Sequence, residues 1–353
     1  MSGNKIVMTS GYSDRTKGAE TVINRSFDLL EKAVDEMHLE KVFRFCDYGT
    51  ADGGTSTGMW KFVCSKVLEL GGDREIEVIL NDLPKMIGAT LVKNGQSLSE
   101  LYPKVRVLIS PESFYNATAV RKSIDLGFSA TAMHWLSKLP YHIENHTHPN
   151  ACPNREDFEA FCRQSAIDWK LLLSRRKEEL KPGGKMVFVN LSRNSEGMYL
   201  GHNKEDKNLH EVLHNIWRSF KEEGKISLKE YESATFQNFY RSEEEYIKGI
   251  EEVGGLTLLD IRTELIKCPY REKFDEDGDV EKFALGLTGT VRSWSEHVFF
   301  EAVSSRKDVK KDKRDIVEAF YGRFKEEVAN NPTSYSMDYI ENYLLVSKAF
   351  SPA

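Results

Sequence analysis

Asp47 and Asp82 each close an apolar run, and the first opens a glycine-rich turn, Asp47-Tyr48-Gly49-Thr50-Ala51-Asp52-Gly53-Gly54. In an α/β sheet such strand ends bind small molecules, because glycines let the backbone come close and the following helix offers free N–H groups. A carboxylate placed like Asp82 accepts hydrogen bonds from both hydroxyls of a ribose. Two strand ends thus point at one nucleoside. The glycine spacing does not meet the G-x-G-x-x-G phosphate pattern, and Asp52 inside the turn repels a pyrophosphate. A phosphate-free nucleoside with a positive centre suits a turn carrying Asp47 and Asp52, and S-adenosylmethionine is such a ligand.

These residues need elements to hold them. Ile23, Phe27, Leu30, Val34 and Met37 alternate in steps of four and three, which predicts one amphipathic helix over 20–38. Short apolar runs at 42–46, 76–80, 105–109 and 124–128 read as strands, each followed by a polar turn and a helix candidate. A long helical pattern at 156–180 ends at Pro182-Gly183-Gly184, before a strand at 186–189. Alternating strands and helices predict a mostly parallel sheet covered on both faces. From about 200 to 330 the chain turns helical and charge-rich, broken by LTLLDI at 256–261 and HVFFEAV at 297–303, which predicts a helical cap. A final strand at 343–349 returns the chain to the sheet. The expected division is a core of 1–195, 250–262 and 295–353, with a cap of 196–249 and 263–294.

The chain of 353 residues has 40% hydrophobic residues and a net charge of −6, so it can bury a large core but presents no basic field for nucleic acid or anionic lipid. Its apolar runs are too short to span a bilayer and its first residues lack an apolar leader core, so a cytoplasmic protein without membrane or nucleic-acid partners is expected. Five scattered cysteines form no C-x-x-C pair and read as reduced thiols.

Several separated blocks resemble the plant-type SABATH family of S-adenosylmethionine-dependent methyltransferases, which methylate small carboxylic acids or, in some members, ring nitrogens. They are MTSGYSDRT at 8–16, CDYGTADGGTS at 46–56, NDLP at 81–84, SFY at 113–115 and SATAMHWLSKLP at 129–140. The resemblance extends through the PGG turn, KEEGKISLKEY and RSWSEHVFFEAV, and so over most of the chain. It implies a class I methyltransferase-like Rossmann sheet with an added helical cap, and usually a homodimer. Carried over residue by residue, it implies cofactor contacts from Tyr12, Thr16, Asp47, Gly49, Thr55, Asp82, Leu83, Ser113, Phe114 and Ser129. The acceptor would meet Trp135, with His134 and Tyr12 beside it. The chain also departs from the family. Ala19 stands where carboxylate-methylating members carry a glutamine that grips the acceptor, and Thr131 and Ala132 replace the serine and tyrosine before the tryptophan. The segment that ligates magnesium in some members reads SATFQNFY here, without its aspartate and asparagine, so no metal is carried over.

A carboxylate is already ionised at pH 7, so its methylation needs no general base, and holding the nucleophile in line supplies roughly 7 to 11 kcal/mol. The expected function is therefore methyl ester formation on a small hydrophobic acid. Two alternatives stay open: a catalytically silent protein that binds a small acid or a partner chain, and N-methylation of a heterocycle. Other signals read as structural. His210-Glu211-Val212-Leu213-His214 spells H-E-x-x-H, but Trp217 stands where the extended zinc motif needs glycine. His142, Glu144, His146, His148 and Cys152 read as a polar surface loop, Asp275–Asp279 as a solvated acidic turn, and the run at 307–315 as an exposed helix face.

Overall fold

A computed structural model describes residues 8–9, 11–202, 208–305 and 310–350. Three helices, α1 (Tyr12–Arg15), α2 (Lys17–Asn24) and α3 (Phe27–Asp35), precede β1 (Val42–Tyr48). Then come α4 (Thr57–Glu69), β2 (Glu75–Asp82), α5 (Ala89–Leu101), β3 (Val105–Pro111), β4 (Ile124–Ala130), α6 (Arg155–Glu179) and β5 (Leu180–Arg193). The second half holds α7 (Leu209–Glu222), α8 (Leu228–Ser233), β6 (Arg241–Ser242), α9 (Glu243–Val253), β7 (Leu256–Ile266), α10 (Pro269–Asp277), α11 (Val280–Ala302), α12 (Lys310–Asn330) and β8 (Tyr339–Lys348).

The sheet runs β3-β2-β1-β4-β5-β8-β7, with the two-residue β6 pairing with β5. Strands β1 to β5 are parallel, and β8 lies antiparallel between β5 and β7. Strand order reverses between β1 and β4, and a ligand crevice opens at the carboxyl ends of strands at such a point. The β1 and β4 core positions Phe43, Phe45, Leu126 and Phe128 are fully buried, as a sheet covered on both faces requires. One apolar cluster joins α2, α3 and α4 through the sheet to α7, α11 and α12, so core and cap share a continuous interior. A second covers the opposite face under α6 and α9.

Three expectations differ from the fold. The stretch 20–38 forms two helices, because Ser26 turns its Oγ to Ile23 O at 2.7 Å and the backbone bends at Arg25–Ser26. HVFFEAV lies at the end of α11, all but its final Val303 within the helix, instead of interrupting the helical cap, and α11 runs unbroken across position 294. β3 runs to β4 without a helix, and β4 is followed by a long irregular stretch before α6: residues 112–123 and 131–154 are irregular. Their backbone groups find partners on α6. The buried Arg176 guanidinium donates to Phe114 O (2.9 Å) and Asn116 O (3.0 Å), while Glu179 Oε1 accepts from Thr118 N (2.7 Å). Side chains thus satisfy a segment that a helix ladder would otherwise satisfy internally. Of the run at 307–315, positions 307–309 lie outside the described residues and the rest opens α12. Asp275–Asp277 end α10 and Asp279 caps α11, accepting from Lys282 N at 3.0 Å, so the acidic turn is a junction between two helices.

Candidate functional site

A cavity, partly open to solvent, lies over the carboxyl ends of β1, β2 and β4. At its floor the β1 end presents Asp47, whose Oδ2 accepts from the Trp60 indole N–H of α4 at 2.7 Å. Burial raises the Asp47 carboxyl to about 7, against the pull of that hydrogen bond and one from Ser56, and the charge of Asp82 adds to the rise. The backbone turns at Gly49 with φ 83°, and a Cβ there would stand 2.5 Å from Ala132 Cβ. Only glycine lets the β1 turn and the β4 loop approach this closely. Gly49 N and Thr50 N both donate to Asn81 O, at 2.8 and 3.1 Å, which locks the turn onto the end of β2.

Asp82 is fixed by two backbone donors, Ala51 N to Oδ2 (2.6 Å) and Leu83 N to Oδ1 (2.7 Å). A carboxylate has lone pairs left after such bonds, so both oxygens can still accept from a diol. Burial holds its carboxyl up at about 6 although both hydrogen bonds favour the ionised form. Tyr12 and Thr16 close the cavity from α1 and the turn after it, with Thr16 Oγ1 donating to Tyr12 O at 2.7 Å. Burial pushes the Tyr12 phenol to about 12, so it is a neutral donor.

Asp52 plays a different part from the one its spacing suggests. It is not among the lining residues; its Oδ2 accepts from Ser13 N and Ser13 Oγ, both at 3.1 Å, and so ties α1 down beside the glycine-rich turn.

At the other end the walls become aromatic. Trp135 pairs with Asn238 in an isolated antiparallel bridge, supported by Phe239 N to His134 O (3.0 Å) and Leu136 N to Gln237 O (2.8 Å). His134, Tyr240, Trp294, Leu191, Leu200, Met337 and Tyr339 complete this end. Burial, with the nearby Arg241 charge, lowers His134 to about 3, so its ring is neutral. No lysine or arginine is among the lining residues.

The cavity gathers Tyr12, Thr16, Asp47, Gly49, Thr55, Asp82, Leu83, Ser113, Phe114, His134 and Trp135. Ser129 is not on it: the side chain is buried in β4 and its Oγ donates to Tyr48 O at 2.8 Å, joining β4 to β1. Sequence reasoning passed over Asn238, Trp294, Met337 and Tyr339, although SATFQNFY and RSWSEHVFFEAV contain the first two. Their approach depends on long-range packing that carries no local signal.

The histidine motifs also have a structural account. His210 stacks on His148 with centroids 3.6 Å apart and His214 on His146 at 4.2 Å, so the loop read as a polar surface feature is packed against α7. His210 Nε2 meets Tyr240 Oη at 3.1 Å. Among the described residues no group of three or more histidine, cysteine, aspartate or glutamate side chains is placed to hold a metal. The five cysteines are free thiols, and no helix among the described residues is long and apolar enough to cross a membrane.

The donor set fits S-adenosylmethionine: two carboxylates and no basic group suit a cationic nucleoside and oppose a phosphate. Comparison with known proteins agrees. The chain is 26% identical to a salicylate/benzoate carboxyl methyltransferase of Arabidopsis thaliana over 54% of its own length and 56% of that enzyme. It is 25% identical to a probable 7-methylxanthine methyltransferase of Camellia ptilophylla over 80% and 82% of the two chains. It thus spans about half the length of the first relative and four fifths of the second. A loganic acid methyltransferase solved with S-adenosylhomocysteine superposes with a TM-score of 0.80 at 19% identity, covering 98% of each chain, and so shares the fold. The profile of the SAM-dependent carboxyl methyltransferase family matches residues 5–347, and the chain belongs to that family.

Proposed function

We propose that the protein transfers a methyl group from S-adenosylmethionine to the carboxylate of a small hydrophobic acid, giving a methyl ester. One observation carries this reading. A single cavity joins a carboxylate pair at the strand tips, Asp47 and Asp82, to an aromatic chamber lined by Trp135, Tyr240 and Trp294. When bound, S-adenosylmethionine supplies a methyl group on a positively charged sulfur.

Asp82 accepts from the ribose hydroxyls, Ser113, Phe114 and Leu83 flank the base, and Asp47, Thr55, Thr16 and Tyr12 meet the methionine end. Trp135 and His134 wall the acceptor, which stays ionised without a proton acceptor from the protein. The walls fix the angle of approach, which is where the rate enhancement comes from. Leu200, Asn238 and Tyr240 of the cap line the acceptor end over a core of the sheet and its flanking helices, and α11, which belongs to both, adds Trp294. A homodimer is the expected working form by family resemblance alone, and light scattering of the purified chain decides it; a cytoplasmic location is the expectation of the sequence composition.

The test is a reaction with methyl-labelled S-adenosylmethionine and a panel of fatty, terpenoid and aromatic acids, extended to purines. Labelled methyl ester supports the reading. Label on a ring nitrogen, or acid binding without any transfer, overturns it.

A further inference from the structure

Ala19 lines the cavity with a side chain too short to hold a carboxylate, and no basic residue replaces it among the lining residues. The acceptor end nevertheless contains polar groups without partners. Asn238 is 1% exposed and Trp294 8%, and neither the Asn238 amide nor the Trp294 indole N–H makes a hydrogen bond. An unpaired buried polar group destabilises a fold, so such groups gathered on one cavity, with His134 Nδ1 beside these two, mark a place where a ligand completes them.

The neighbours of Asn238 decide which part of the amide is available. Tyr240 and His148 pack beside it without a hydrogen bond of normal geometry. His148 Nδ1 accepts from Asn150 N at 3.2 Å, and burial keeps the ring neutral, so its proton sits on Nε2. The nearby imidazole N–H is complementary to the amide oxygen, which leaves Nδ2, on the side of the cavity-lining Tyr240 phenol, as the donor that a ligand takes up. Trp294 Nε1–H is a donor only. Two neutral donors on an aromatic wall match the two oxygens of a carboxylate.

We propose that Asn238 Nδ2 and Trp294 Nε1 together hold the acceptor carboxylate, taking over the grip that Ala19 cannot provide. This rests on the carboxyl-methylation reading. Hydrogen bonds to an anion from buried donors set acid affinity and leave the cofactor end untouched.

The experiment measures acid affinity by calorimetry in the presence of saturating S-adenosylhomocysteine, together with KM in the transfer assay, for wild type, Asn238→Leu and Trp294→Phe. Each variant is expected to weaken acid binding and raise KM by roughly tenfold to a hundredfold, with S-adenosylhomocysteine affinity within twofold of wild type as the check on folding. Ala19→Gln introduced into the Asn238→Leu background restores acid binding, an outcome that general damage to the wall does not produce. Ester formation by wild type with acid affinity unchanged in both single variants, or weakened without rescue by Ala19→Gln, overturns the assignment and leaves the function standing. Cofactor binding by wild type with no transfer to any acid overturns the function and this assignment with it.

Discussion

At the scale of single residues the account depends on carboxylates kept at an unusual point of titration. Burial raises Asp47 to about 7 and Asp82 to about 6, above their unfolded values. A group with a raised carboxyl pKa contributes stability that is present in acid and lost as pH rises through the folded pKa. The ligand-free protein therefore loses stability between about pH 4 and 7, while a cationic cofactor favours the ionised pair. Affinity for S-adenosylmethionine is predicted to fall below pH 7, by up to about tenfold per pH unit for each group that must ionise. Calorimetry from pH 5 to 8 checks this, and a flat profile contradicts it. Asp82→Ala is expected to cost about 2 to 4 kcal/mol of cofactor binding by removing charge-assisted hydrogen bonds, seen as a weaker Kd. Trp135→Ala keeps cofactor affinity and loses roughly a hundredfold in kcat/KM through misplacement of the acceptor, a split that separate binding and turnover assays resolve. Asp47 and Asp82 were legible because their chemistry is local to a strand end. Asn238 was not, since its meaning comes from pairing with Trp135 across more than a hundred positions of chain.

Elements transmit these demands. The parallel strands were readable from apolar runs and turns, and the closing strand at the C terminus was too. What could not be read was how the irregular segment after β3 is held, because its partners are the side chains of Arg176 and Glu179 on α6. Both are 1% exposed, and Arg176 Nη2 donates to Glu179 Oε1 at 3.0 Å. Breaking a buried pair leaves an uncompensated charge at a cost of about 3 to 5 kcal/mol. Arg176→Met is therefore predicted to lower Tm by several degrees. It also weakens cofactor binding, because the freed 112–123 segment carries Ser113 and Phe114. Thermal unfolding with and without cofactor tests both effects, and a variant with normal Tm shows the pair to be dispensable. The 20–38 pattern misled for a related reason: periodicity reports which face is buried, and two short helices around a bend at Ser26 bury the same face as one long one.

For the molecule as a whole, the charge balance opposes the ligand it is proposed to methylate. A net charge of −6 and a cavity with two carboxylates disfavour a small anion. Raising ionic strength from about 0.01 to 0.15 M shortens the screening length from about 30 to 8 Å, so KM for the acid is predicted to fall with salt in this range. A rising KM contradicts that view of the field. The fold class and the cofactor were legible because blocks along most of the chain are anchored to strand ends. The acceptor chamber was not, because cap and core supply it jointly through one continuous interior. The central claim is that one cavity holds the nucleoside on the tips of β1 and β2 and the acid at its aromatic end. Crystals soaked with S-adenosylhomocysteine and a methylated acid's parent test it directly. The account predicts ribose hydroxyls on Asp82 and the acid carboxylate beside Trp135. A nucleoside bound elsewhere, or this crevice blocked by side chains, contradicts it.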